Sequence, residues 1–200
     1  MKLEQKQAKL DAISKRIINR EIDIDLAKDC LNPVPGEGNA NAELMFIGEA
    51  PGAQEDKQGR PFVGASGKFL AEMLESIGLK REDVFITNIV KFRPPENRDP
   101  NPEEIKACMP ILFEQIEVIR PKLLIFLGRH SMNVFFPKLK ISEAHGGMVK
   151  TNVQNPDGSE FEQNCLPLYH PAAALYNGSM RKVLLEDFAK IPKLLEIIKK

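Results

Sequence analysis

Three short apolar runs, each followed by a polar turn and then a helical pattern, constrain the fold of this chain more than any other feature. The runs ELMFI, VFITNIV and KLLIFL occupy residues 43–47, 84–90 and 122–127. Strands that are apolar on both faces are typical of parallel sheets, because crossover helices cover both sides of such a sheet. The sequence therefore predicts an α/β fold with a mostly parallel sheet between two helical layers.

Helix and hairpin signals fill the segments around these runs. Residues 3–20 carry apolar side chains at helical spacing, which predicts an N-terminal helix. Asn101 has the features of a helix N-cap, with Pro102 at the first helical position. Residues 148–168 resemble a β-hairpin that turns at Asn155-Pro156-Asp157-Gly158.

Length, charge and cysteine content exclude several classes of protein. A chain of 200 residues fits one domain. With 28 Lys+Arg and 28 Asp+Glu, the chain does not bind nucleic acid through bulk charge, although a local basic groove stays possible. Three cysteines without a C-x-x-C pair argue against a disulfide framework and a four-cysteine metal site, and favour a cytosolic compartment. No apolar run is long enough to predict a membrane span.

Polar motifs follow the predicted strands and point to an active site. They are Gly48–Asp56 after the first strand, Asn88 at the end of the second, Gly128-Arg129 after the third, and His170 after the last. Ligands of open parallel sheets bind beyond the carboxyl ends of the strands. We therefore expect these segments to converge on one edge of the sheet.

Three side chains in or near these motifs have both a structural and a functional interpretation. Phe62 lies in a glycine- and proline-rich loop, where it could fill the core or form a platform for a planar base. The amide of Asn88 could hold a loop, or could match the O4 acceptor and N3–H donor of uracil. His170 could be structural or catalytic. Their residue types alone do not decide between these roles.

Taken together, the motifs resemble those of the family 4 uracil-DNA glycosylases. The matching strings are GEAPG-x-x-ED-x-x-G-x-PFVG-x-x-G from Gly48, ITNIVK-x-RPP-x-NR-x-P from Ile86, and YHPAAAL from Tyr169. The resemblance implies a three-layer α/β/α sandwich with a central four-stranded mostly parallel sheet. One domain would span residues 1–200, with an N-terminal helical region at 1–33 and a core at 34–190.

The resemblance also assigns roles around the base. Phe62 matches the aromatic residue that stacks on an extruded uracil, and Asn88 matches the amide that reads its edge. Gly48 belongs to the first motif beside the base. Glu55 matches an acid near C5 of the base that helps to exclude thymine.

Further matches concern the reaction and the DNA. His170 matches the histidine that stabilises negative charge on uracil O2, while Glu49 and Ala50 lie beside the sugar and the attacking water. Leu175 matches the loop that fills the gap left by the flipped nucleotide. For phosphate contacts we expect three further side chains, namely those of Ser66, Arg93 and Arg98.

The chain departs from the family at the [4Fe–4S] cluster, which family members bind through four cysteines. Cys108 alone occupies a ligand position, Phe92 replaces another, and the first two positions fall near Glu21 and Ile24. Because a cluster needs four such ligands, we predict that the cluster is absent, that no metal or other cofactor is required, and that Phe92 packs against residues 22–26 instead.

The expected function is hydrolysis of the N-glycosidic bond of uracil in single- or double-stranded DNA, which leaves an abasic site and free uracil. The alternative is a non-catalytic DNA-binding relative of the same fold. A monomer in the cytoplasm, associated with the nucleoid of a prokaryote, is the expected setting.

Overall fold

A single mixed sheet organises the chain, as seen in a computed structural model that describes residues 1–154 and 158–199. Within these residues the strands lie in the order β1-β3-β2-β4-β6-β5. Their bounds are Glu37–Gly38 (β1), Leu44–Gly48 (β2), Phe85–Asn88 (β3), Leu123–Leu127 (β4), Val149–Gln154 (β5) and Glu160–Leu168 (β6).

The four central strands β3, β2, β4 and β6 are all parallel, which confirms the predicted parallel sheet. The sheet is wider than the predicted four strands, because β1 and β5 pair antiparallel at its two edges. The sequence does not indicate β1, since a two-residue edge strand needs no apolar run. The arms of the predicted hairpin are β5 and β6, whereas residues 155–157 of the turn predicted at 155–158 lie outside the described residues.

Helices cover both faces of the sheet. Their bounds are Leu3–Ile18 (α1), Leu26–Asp29 (α2), Ala53–Gln58 (α3), Ala65–Ser76 (α4), Pro102–Ile119 (α5), Arg129–Phe135 (α6), Ile141–Ala144 (α7), Ala173–Tyr176 (α8), Gly178–Phe188 (α9) and Ile191–Ile198 (α10). In the part of the chain that the structure describes, no helix combines the length and the hydrophobicity that a membrane span needs.

The alternation of side chains along each strand divides the core into two layers. In β2, Met45 and Ile47 face a cluster that includes apolar residues of α1, α2 and α5. Leu44 and Phe46 face the opposite cluster, with apolar residues of α4, α9 and α10. Successive residues of a strand point to opposite faces, so a strand buried on both sides must be apolar throughout.

The start of α5 follows its predicted capping signal. The side chain of Asn101 accepts a hydrogen bond from the backbone N–H of Glu104 at 2.9 Å, and Glu104 Oε2 accepts the N–H of Asn101 at 2.8 Å. This reciprocal pair forms a capping box, which satisfies N–H groups that the first helical turn leaves without partners.

The order of the strands places a crevice beyond the carboxyl end of β2. From β2 the chain passes to β3 on one side and later to β4 on the other side. Such a reversal of strand order opens a crevice at the carboxyl ends of the strands. The carboxyl ends of β2 and β3, at Gly48 and Asn88, therefore mark the position of a candidate site.

Candidate active site

A cleft of about 680 Å³ opens at this carboxyl edge and brings the separate sequence motifs together. One wall comes from the segment after β2, another from the loop at 94–99, and a third from the segment after β6. The predicted site residues that line the cleft are Glu49, Ala50, Glu55, Phe62, Ser66, Asn88, Arg98 and His170.

Asn88 lines the cleft, and Gly48 packs closely against Asn88 and Phe62 without being a lining residue; Gly48 and Asn88 are called the floor below. A Cβ atom on Gly48 would lie 2.3 Å from Asn88 Oδ1 and 2.7 Å from Phe62 Cζ, so a larger residue cannot fit without displacing them. Among the described residues, Asn88 Oδ1 is the one fully buried side-chain oxygen or nitrogen without a hydrogen-bond partner. A buried polar atom without a partner costs about 1–3 kcal/mol, which indicates that a ligand supplies the missing donor.

A buried lysine supports this floor from behind. Lys91 Nζ donates to the backbone oxygen of Asn88 at 2.6 Å, to Thr87 Oγ1 at 2.7 Å and to Gln115 Oε1 at 2.8 Å. Its complete burial lowers the pKa of Lys91 to about 7. The sequence analysis did not identify Lys91 as part of the site. Its acceptors lie on β3 and on α5, and only the folded chain brings these two elements together.

Phe62 forms one wall of the cleft in a strained backbone conformation. Its φ angle is +50°, in the left-handed region, where bulky residues are uncommon and pay roughly 1–3 kcal/mol. The ring is almost fully buried, and its centroid lies 5.7 Å from that of the His170 ring. Phe62 thus belongs to the core and also lines the cleft, so the two interpretations of this residue are compatible.

Two of the three acids of the first motif, Glu55 and Asp56, support the loops around the cleft. Glu55 Oε1 accepts the N–H groups of Val63 and Gly64 at 2.8 and 2.9 Å, directly after Phe62. Asp56 is buried, and its Oδ1 accepts the N–H of Leu31 at 2.9 Å. Asp56 is therefore a structural anchor, whereas the role of Glu55 against thymine stays a prediction.

His170 lines the cleft from the segment after β6 and is held as a neutral imidazole. Burial lowers its pKa to about 4, although Glu55 favours the charged form. His170 Nδ1 accepts the backbone N–H of Ala172 at 3.1 Å, so the proton of the neutral ring lies on Nε2. Nε2 is therefore available as a hydrogen-bond donor to a ligand in the cleft.

Glu49 faces a second histidine that the sequence analysis left without a role. Its Oε1 lies 3.5 Å from His130 Nδ1, and Asp99 Oδ2 lies 3.5 Å from His130 Nε2. Burial raises the pKa of Glu49, and the charge of Asp99 adds to this effect. Arg129 Nε donates to His130 Nε2 at 3.0 Å, so this nitrogen already has a hydrogen-bond partner.

The residues predicted to bind DNA differ in their positions. Ser66 lies in the first turn of α4 at the rim, where helical N–H groups attract phosphate. Arg98 also reaches the cleft, but it forms a two-pronged pair with Glu104 at 2.7 and 2.9 Å. Arg93 is not among the lining residues and donates to Asn97 at 2.8 Å.

An exposed apolar pair projects from α8 beside the cleft. Leu175 is 48% exposed and Tyr176 is 91% exposed, and Tyr176 lines the cleft whereas Leu175 does not. The sequence analysis named only Leu175. Tyr176 follows it directly, and the large exposed aromatic ring is the signal that could have identified it.

The residues at the family's cluster position do not fit an iron–sulfur cluster. Phe92, Cys108, Ile22 and Leu26 belong to one buried apolar cluster. Within the described ranges, no group of three potential ligand side chains includes a cysteine. Burial also raises the pKa of the Cys108 thiol and disfavours the thiolate that a cluster requires.

Comparisons with known proteins agree with this geometry. Residues 35–192 match the family model of the uracil DNA glycosylase superfamily. The chain is 53% identical over 165 residues to the type-4 uracil-DNA glycosylase of Saccharolobus solfataricus, covering 82% of this chain and 76% of that protein.

Two further type-4 uracil-DNA glycosylases are also similar. The protein of Archaeoglobus fulgidus is 47% identical over 170 residues, which cover 85% of each chain. The protein of Thermotoga maritima is 42% identical over 163 residues, covering 80% of this chain and 81% of its own. The sequence motifs, the fold and these similarities lead to one conclusion: the chain belongs to the uracil-DNA glycosylase superfamily.

Proposed function

We propose that this protein is a DNA repair hydrolase that excises uracil from DNA and leaves an abasic site. The observation that carries this proposal is the buried Asn88 Oδ1, which has no partner among the described residues and belongs to a residue that lines the same cleft as Phe62 and His170. Uracil offers an N3–H donor to this oxygen and an O4 acceptor to the amide nitrogen. Cytosine offers a bare N3 instead, so it would leave the oxygen without a donor.

Base binding begins with extrusion of the nucleotide, which costs a few kcal/mol and least in single strands or mismatches. Stacking of the uracil on the Phe62 ring contributes about 1–3 kcal/mol of binding free energy, which offsets part of the cost of extrusion. Gly48 keeps the floor low enough for the ring to reach Asn88, since any side chain there would collide with both neighbours. Glu55 supports the Phe62 loop through its backbone contacts.

In the chemical step the C1′–N1 bond breaks, and its electron pair moves onto the uracil. His170 Nε2–H donates to O2 and stabilises the developing anion, as does the backbone of the turn at 48–50. A placed donor of this kind contributes about 3–4 kcal/mol to the transition state. Because burial holds His170 neutral, it stabilises the anion as a hydrogen-bond donor without adding a full charge.

Water then captures the positively charged sugar at C1′. Glu49 carries a carboxylate beside the cleft, and it accepts the proton that this water loses. Ala50 follows it in the turn and contributes only its backbone and a methyl group. The products are free uracil and an abasic site.

DNA contacts lie around the rim of the cleft. Ser66 at the start of α4 binds a phosphate. Arg98 contributes positive charge at the cleft while it stays paired with Glu104. Arg93 contributes charge farther from the base, while Leu175 and Tyr176 fill the space that the flipped nucleotide leaves. The partner is uracil-containing DNA, single- or double-stranded, which the protein binds as a monomer. Its location is the cytoplasm of a prokaryote, in association with the nucleoid.

We also propose that the protein acts without an iron–sulfur cluster or other cofactor. The support is the ligand set around Cys108, where Phe92 and its neighbours provide apolar packing. Protein purified without oxygen and with added iron is expected to lack absorption near ~400 nm and to contain no stoichiometric iron. A brown preparation with about four iron atoms per chain would overturn this proposal.

A labelled oligonucleotide with a single deoxyuridine tests the proposed activity. Wild-type protein followed by alkali is expected to break the strand at that position, whereas matched oligonucleotides with deoxycytidine or thymidine stay intact. The His170→Ala variant, purified in the same way, controls for contaminating glycosylases. Binding of the oligonucleotide without strand breakage would favour the non-catalytic alternative.

A further inference from the structure

The strained backbone of Phe62 is held by an arginine outside the cleft. Arg81 Nη1 donates to the backbone oxygen of Phe62 at 2.9 Å, and its Nη2 donates to that of Pro61 at 2.7 Å. Arg81 lies just before β3, in the short turn Arg81–Asp83, and does not line the cleft. One guanidinium therefore fixes two consecutive peptide groups at the residue with the left-handed conformation.

A carboxylate holds this guanidinium in turn. Glu37 Oε1 accepts from Arg81 Nη2 at 2.6 Å, and Glu37 Oε2 accepts from Arg60 Nε at 2.7 Å. The side chains of Arg81 and Glu37 are only 23% and 25% exposed, whereas that of Arg60 is 58% exposed. Arg81 and Glu37 are thus both partly buried, and Arg81 is the one of the three that contacts the Phe62 peptide directly.

The start of α4 also restricts the backbone of Phe62. A Cβ atom on Gly67 would lie 1.8 Å from the backbone oxygen of Phe62, so the start of α4 packs closely against it. The next two N–H groups are held by Glu55. A strained conformation persists only where its surroundings determine it fully, and Arg81 supplies the contacts on the carbonyl side.

We propose that Arg81 is a positioning residue that holds Phe62 in place for stacking on the extruded base. Arg81 also precedes the strand that ends at Asn88, so the same segment links the stacking platform to the residue that reads the base edge. This role rests on the proposed uracil-excising function. Arginine suits it because a planar fork of donors can bind two carbonyl groups and a carboxylate together.

A double-mutant cycle separates positioning from general stability. Phe62→Ala is expected to lower kcat/KM on a uracil oligonucleotide by about 5- to 150-fold, the range expected from lost stacking. Arg81→Met is expected to lower it by an amount similar to that of Phe62→Ala in the wild-type background, but by less than about 2-fold in the Phe62→Ala background. Thermal melting confirms that each variant is folded at the assay temperature.

Two more variants complete the test. Arg60→Met removes the other partner of Glu37 without touching Phe62, and it is expected to stay within about 2-fold of wild type. Arg81→Lys keeps the charge but loses the fork, so an intermediate loss is expected; it replaces Arg81→Met in the cycle if the latter does not fold.

The outcomes distinguish this role from the proposed function. Equal losses from the Arg81 variant in both backgrounds, or no loss in a folded variant, would overturn the positioning role while uracil excision by wild type stands. Absence of uracil excision by wild type would overturn the proposed function and, with it, a positioning role toward uracil.

Discussion

The floor of the cleft and the region around Phe92 lie on either side of the same short segment but differ in character. At the floor and in the adjoining wall, the chain keeps a buried oxygen without a partner and an aromatic residue with a left-handed backbone, although both reduce stability. Phe92, Cys108, Ile22 and Leu26 instead belong to one buried apolar cluster.

The difference indicates which features the reaction needs. A base-reading amide and a stacking ring must have fixed chemistry and position, so they cannot be exchanged for ordinary core residues. An iron–sulfur cluster with a structural role would mainly fill space and join segments, and apolar side chains of similar volume can do the same. Substitutions at the floor should therefore impair catalysis, whereas substitutions around Phe92 should impair stability.

The largest expected effect on the rate is that of His170→Ala. The loss of a placed donor to the leaving base lowers single-turnover cleavage by about 10²–10³-fold. Binding of a uracil oligonucleotide, measured by fluorescence anisotropy, is expected to change little. Near-normal cleavage by this variant would exclude His170 from the mechanism.

Gly48→Ala should have the next largest effect. Its Cβ would meet Asn88 Oδ1 at 2.3 Å and Phe62 Cζ at 2.7 Å, so both base contacts must shift. A displacement of this kind costs about 10²-fold in kcat/KM. Gly178→Ala is the matched control, since a Cβ there meets no atom within 4 Å. Equal activity of the two variants would show that the floor tolerates rearrangement.

The pH profile tests the charge states at the cleft. Because the pKa of His170 is about 4, the ring stays neutral as the pH falls from 8 to 6 and gives no gain in rate. The raised pKa of Glu49 means that its carboxylate is protonated at a higher pH than an ordinary glutamate. Single-turnover cleavage should therefore decline toward acid, and Glu49→Gln should remove this decline. A rate that rises as the pH falls through 6.5 would indicate a charged His170 instead.

Phe92→Ala is expected to leave the rate unchanged at temperatures where the variant is folded. Phe92 is completely buried, and the resulting cavity should lower the free energy of unfolding by about 3–5 kcal/mol. Urea denaturation measures this loss, with Phe92→Leu as a control that keeps most of the volume. A large decrease in the single-turnover rate of folded Phe92→Ala would break the distinction between the two regions.

Local patterns were sufficient to predict the central strands and many of the helices. The runs in β2, β3 and β4 are buried on both faces, and Asn101 caps α5 as its position before Pro102 predicts. These features depend on neighbours in the sequence. The edge strand β1 depends on pairing with β3 and carries no pattern of its own.

Most of the predicted site residues line the cleft, but the residues that support them were not predicted. Arg81 acts across 19 residues on Phe62, and Lys91 reaches across 24 residues to Gln115. In the sequence, a single arginine or lysine is interpreted as a surface charge. Only the folded chain shows which of these side chains lies beside a backbone carbonyl group. The left-handed φ of Phe62 is likewise set by tertiary contacts, since its residue type disfavours that region.

A crystal structure of the wild-type protein with free uracil tests the central claim most directly. The predicted result is a uracil ring stacked on Phe62, with its N3–H bonded to Asn88 Oδ1 and its O2 facing His170 Nε2. Uracil bound elsewhere, or an Asn88 Oδ1 turned away from the base, would contradict a cleft built to read uracil.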